Sequence, residues 1–123
     1  MIVASPWCYE DHFIECVRDF IQAVADENYG AALGRLDTRE RRWSREEFVG
    51  LLRAHVSGAV TTPYGHRRSA EPTCIAEDGR DVFDVVHRLP VDGRWSDVAV
   101  RFRFVRGKGE YFHVLLIGIE PAT

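Results

Sequence analysis

Two histidines stand inside runs with β-strand alternation, His87 in "DVFDVVHRLPVDGRWSDVAV" and His113 in "RGKGEYFHVLLIGIE". An imidazole changes charge near neutral pH and is the commonest general acid or base. Asp81 and Tyr111 belong to the same part of the chain. Burial raises the pKa of a carboxyl group towards neutrality, and a phenol can donate to a developing oxyanion. The catalytic set these residue types suggest is His113, Asp81 and Tyr111, with Tyr9 as a second possible donor. No complete catalytic, metal-binding or phosphate-binding motif accompanies them.

Cys8, His12 and Cys16 recur at i, i+4 and i+8. On a helix the outer two would stand about 12 Å apart, too far to share one ion at bond lengths near ~2.3 Å. No metal and no cofactor is expected. Three cysteines without CxxC spacing do not make a disulfide framework. The net charge of −3 and pI near 5.9 give no case for nucleic acid. The basic clusters "RERRW" and "GHRRS" read as solvated loops. No apolar run approaches the ~20 residues of a membrane helix. The opening "MIVASPWCYEDH" lacks the basic and apolar regions of a signal peptide. The expected setting is cytoplasmic, with no membrane partner. At 46% hydrophobic and 28% charged residues, the sequence reads as one globular domain over residues 1–123.

The elements that must position these side chains fall into two halves. Ser5-Pro6 marks a helix start, followed by an apolar stripe of Tyr9, Phe13, Cys16, Val17, Phe20 and Val24. Asn28 caps a short second helix running to Leu36. Ser44 and Glu47 form a capping box for a third, which Gly58 ends. Trp43, just ahead of that box, is placed to pack as a staple on Phe48. After Gly58 the period changes from 3.6 to 2. "AVTTPYGHRRSAEP" reads as a weak strand or loop, and "TCIAEDG" as a short strand. Three longer strands cover residues 81–89, 96–105 and 110–119. Helices first and strands afterwards predict an α+β domain. In it, three N-terminal helices pack on a curved antiparallel sheet of four to five strands.

Asp92-Gly93 is a two-residue hairpin signal. It predicts Val91 opposite Arg94, His87 opposite Val98, Val85 opposite Val100 and Phe83 opposite Phe102. On the other face, Asp84 would meet Arg101 and Arg88 would meet Asp97. The Gly107–Gly109 turn, with two or four loop residues, places Tyr111, His113 and Leu115 on the inner face. Phe112, Val114 and Leu116 then form an apolar outer face, expected to be a homodimer seam. In this register His87 lies at the hairpin rim, about 15–20 Å from His113, so the two cannot act together.

"FIECVRDFIQAVADENYGAALGRL", "SREEFVGLLRAHV" and "SDVAVRFRFVRGKGEYFHVLLIGIE" together resemble the nuclear-transport-factor-2-like superfamily. The resemblance implies a cystatin-like α+β cone, a sheet wrapped around a long helix. Its members include isomerases, cyclases, dehydratases, transport adaptors and bacterial immunity proteins. A ligand pocket inside the cone would be lined by Tyr9, Phe13, Phe83, His87, Trp95, Phe102 and Phe104. Two functions are expected from all this. The first is a small non-catalytic binding or interaction protein, of immunity or accessory type. It would be a homodimer holding a protein partner or a small apolar ligand. The second is an isomerase, cyclase or hydrolase working in that pocket.

Overall fold

The computed structural model describes residues 2–3, 9–38, 42–63, 73–78, 81–109 and 111–121. The order is β1 (Ile2–Val3), α1 (Tyr9–Ala25), α2 (Tyr29–Gly34), α3 (Arg45–His55), β2 (Thr73–Asp78), β3 (Val82–Val91), β4 (Arg94–Arg106) and β5 (Tyr111–Pro121). The architecture is α+β with the three helices N-terminal to the body of the sheet. The expected start at Ser5-Pro6 falls outside the described residues.

The antiparallel sheet is built on three long strands, β3, β4 and β5, which corrects the expected body of four to five. Beside them run only the two-residue β1 on β5 and the six-residue β2 on β3, in the hydrogen-bonded order β1-β5-β4-β3-β2. The stretch after Gly58 adds no further strand among the described residues. Val60 makes a single isolated bridge to Val91.

The helices stop and start for local reasons. Asn28 caps α2 by accepting from Ala31 N, and Ser44 and Glu47 close the capping box of α3. The end of α1 is tied by Asn28 N to Ala23 O and Glu27 N to Val24 O. That pair of bonds is a Schellman closure, which needs a left-handed residue at its hinge. The hinge residue is Glu27, at φ 58, where glycine would carry no Cβ clash. The third helix ends at His55 with Val56 extended, so Gly58 does not cap it. A Cβ on Gly58 would instead run into the Asp92 carboxylate and stand 2.8 Å from Val91 Cγ1. The glycine is there for a close approach to the β3–β4 hairpin.

That hairpin turns on Asp92 (φ 52) and Gly93 (φ 81), with Val91 opposite Arg94. Further along, the predicted pairing slips by two residues. Pro90 faces Trp95, yet Arg88 faces Ala99, so Ser96, Asp97 and Val98 stand against Leu89 alone. Pro90 has no N–H to continue the ladder. The Ser96 hydroxyl closes the gap, donating to Leu89 O at 2.8 Å and accepting from Val98 N at 3.2 Å. His87 therefore faces Val100, Val85 faces Phe102 and Phe83 faces Phe104. On the other face Asp84 takes a two-pronged contact from Arg103 (2.8 and 3.2 Å), and Arg101 turns to Glu120 at 3.0 Å. An even slip keeps every side chain on its predicted face.

The second hairpin does not. Three residues separate Gly107 from Tyr111, whose O accepts from Gly107 N at 2.7 Å, and Gly109 sits at φ 63. A three-residue loop of this type commonly carries a left-handed glycine. Being odd, it inverts the phase of β5 relative to the even loop that had been expected. Phe104 pairs with Val114 and Phe102 with Leu116. Phe112, Val114 and Leu116 are thus on the helix-facing side, 1%, 1% and 4% exposed. The homodimer seam assigned to them is overturned, because they are core. Ile117 is bulged out between Leu116 and Gly118 and is 41% exposed, after which Ile119 returns to the buried face opposite Val100.

The core lies between α1 and this inner face. Phe13 stacks on Phe104 at 4.2 Å and meets Phe83 at 5.4 Å and Phe112 at 4.9 Å. Two turns further along, Phe20 contacts Phe102 at 5.0 Å and Phe48 of α3 at 5.7 Å. Beyond β1, the same edge of β5 is bonded by Asp37 and Trp43, two residues that lie between α2 and α3. Asp37 N donates to Val114 O at 2.7 Å and Trp43 Nε1 to Leu116 O at 3.1 Å. Trp43 is thereby fastened to the sheet. Replacing Glu27 by glycine should stabilise the fold by about 1 kcal/mol, read as a higher urea midpoint with an unchanged slope.

Candidate functional site

The phase inversion of β5 disperses the expected acid–base set. Residues 83, 85 and 87 of β3 point to the core, whereas on β5 residues 112, 114 and 116 do so. Asp81 precedes the core-facing series and is exposed, held by Arg106 Nε at 3.2 Å. Tyr111 and His113 lie on the opposite face, Tyr111 with 49% exposure. Among the described residues, no hydrogen bond or ion pair joins Asp81 or Tyr111 to His113.

His113 has a different partner, which the sequence did not signal. Its Nδ1 lies 2.6 Å from Asp37 Oδ2, with both side chains largely buried. Asp37 reaches this place because its own N–H is bonded to the β5 edge at Val114. A contact spanning 76 residues has no local pattern from which to read it. The pair has two members of a proton relay, a base and its orienting carboxylate. The third requirement is a place for a reacting atom. On that side Nε2 lies 3.1 Å from where a Cβ of Gly107 would be, so the ring edge rests on the turn backbone. The pair fastens the α2–α3 segment, the β4–β5 turn and β5 to one another.

His87 is fully buried, not at a rim. Its Nδ1 bonds the neighbouring Arg88 O at 2.7 Å, and its ring meets Trp95 edge-on at 5.4 Å. A histidine donating from Nδ1 to a backbone carbonyl is a satisfied strand residue. Of the residues assigned to an inner pocket, Phe13, Phe83, Phe102 and Phe104 pack on one another. The side chain of Tyr9 lies outside the described residues. Cys16 is partly buried, and that burial pushes its thiol up to about 11, so little thiolate is present at neutral pH. Among the described residues no three His, Cys, Asp or Glu side chains gather as metal ligands. No helix among them is long and apolar enough to cross a membrane.

Open space lies elsewhere, along α3. Two adjoining hollows of about 270 and 340 Å³ share Tyr29, Val49 and Arg53 in their walls. The first runs under Val24, Leu52, Val56 and Val60, and is closed by Gly58 and Ala59. That wall is held by the hairpin tip: Asp92 Oδ1 accepts from Ala59 N at 3.1 Å, and Asp92 N donates to Ala59 O at 2.9 Å. The second is bordered by Arg45, Glu46, Val49 and Gly50. Arg45 lies over the Tyr29 ring, 5.7 Å from its centre. These residues offer charge, an aromatic edge and aliphatic surface, which suits binding. The one sequence signal for this face is a glycine, Gly50, in the exposed middle of a well-capped helix.

Removing the carboxylate in Asp37→Ala should destabilise the fold by about 1–3 kcal/mol, measured by urea unfolding, with Asp37→Asn losing less. No protein-family model, no curated protein and no solved structure matches this chain.

Proposed function

We propose that the chain is a small non-catalytic interaction module whose binding surface is the groove along α3. The observation behind this reading is the aromatic filling of the inner face. Phe13 stacks on Phe104 at 4.2 Å and is flanked by Phe83 and Phe112, so side chains occupy the space that a ligand inside the cone would need. Ligand sites are commonly hollows of ~300–1,000 Å³, and the larger hollow beside α3, at about 340 Å³, reaches the lower end of that range.

The order of three helices followed by an antiparallel meander supports the nuclear-transport-factor-2-like resemblance as part of the same proposal. An immunity-type or accessory role in the cytoplasm fits a protein that works by contact. The interior would then serve stability, and the partner would be a protein chain or a small apolar ligand held outside the sheet.

Amide chemical-shift perturbation with an apolar fragment library tests this. The amides that respond should belong to Tyr29, Val49, Gly50 and Arg53. Saturable shifts confined to Phe83, Phe102 and Phe104 would overturn the reading in favour of an interior pocket and an enzyme.

A further inference from the structure

We infer that a second copy of this chain is the partner of the α3 face, and that the two helices pair antiparallel about a two-fold axis between Val49 and Gly50. Glu46, Val49, Gly50 and Arg53 form one stripe of α3, at the i, i+3, i+4 and i+7 spacing of a single helix face. In a two-fold antiparallel pair centred there, Glu46 faces the partner's Arg53 and Val49 faces the partner's Gly50. Each relation occurs twice, as an isologous interface requires. The stripe is therefore self-complementary in charge and in size.

Three observations on the isolated chain favour this occupant. Glu46 and Arg53 are exposed, and neither side chain makes an ion pair or hydrogen bond with another described residue. Gly50 is exposed in the helix interior, where glycine is the least favourable residue after proline. A Cβ there would meet nothing within 4 Å, so the packing of one chain does not call for it. Its absence lets a second helix come close, as small residues do at helix crossings. Val49 is half-buried beside it and lines both hollows. The stripe is only about two turns long, which places the interface at the small, transient end of the range. A dissociation constant on the order of 100 μM is expected, weakening with salt because the charges sit at the surface.

The inference rests on the reading of α3 as the contact face, yet a monomeric wild type would leave the amide test of that reading untouched. The experiment is sedimentation of the full chain from about 10 μM to about 1 mM. The wild type should associate reversibly to a dimer. E46R alone and R53E alone each set like charges against each other twice, and each should weaken association at least about tenfold. In an equimolar mixture, one E46R chain against one R53E chain again has opposite charges at both contacts, and the dimer should be restored. G50Q should block approach while raising the thermal midpoint, which separates loss of contact from loss of fold. A wild type that stays monomeric throughout overturns the proposal. So does a dimer that none of these substitutions weakens, or a mixture that stays monomeric.

Discussion

One ring on the first helix meets rings from three strands. Phe13 touches Phe83 on β3, Phe104 on β4 and Phe112 on β5, all within 5.4 Å between ring centres. Such a cluster forms only if all three strands present aromatic side chains to the same side at the same level. Each strand's alternation is a two-fold choice, and this contact selects one combination. Aromatic rings bury large area and prefer the tilted and offset geometries seen here, so the selection is strong. Every other property of the sheet follows from that phase, including which of its polar residues are turned away from the helices.

Much of the frame was legible. Caps are local, so the Asn28 cap and the Ser44–Glu47 box were readable from neighbouring letters. The Asp92-Gly93 turn was readable for the same reason. What failed was parity across Gly107–Tyr111: two glycines with a lysine between them are compatible with loops of even or odd length. The error placed Phe112, Val114 and Leu116 on the outer face and His113 and Tyr111 on the inner. The two-residue slip beside Pro90 did less harm, since it exchanged partners without changing faces. Asp37 escaped notice because its link to His113 crosses 76 positions. The α3 groove escaped for another reason: a polar helix face looks alike whether it meets water or a partner.

The distribution of polar groups separates holding from reacting. His87 and His113 both bond at Nδ1, one to a carbonyl and one to a carboxylate, and both are enclosed by packing. The carboxylates and guanidinium groups of the outer sheet face neutralise one another, with Asp84 shared between Arg103 at 2.8 Å and Arg101 at 4.0 Å. Charges on α3 are arranged otherwise. Glu46 and Arg53 are kept apart along the helix by geometry, two turns from each other, so neither can satisfy the other within one chain.

The covering of the β5 edge also has a meaning in time. Trp43 bonds a carbonyl 73 positions further along the chain, so on a ribosome the cover is made before the strand it will protect. β4 is made before β5 as well. When β5 emerges, the partners for both of its edges already exist, and it enters a slot between them. An unpaired apolar strand is the species most prone to join a neighbouring molecule. For β5 the order of synthesis supplies both sets of partners before the strand itself is complete.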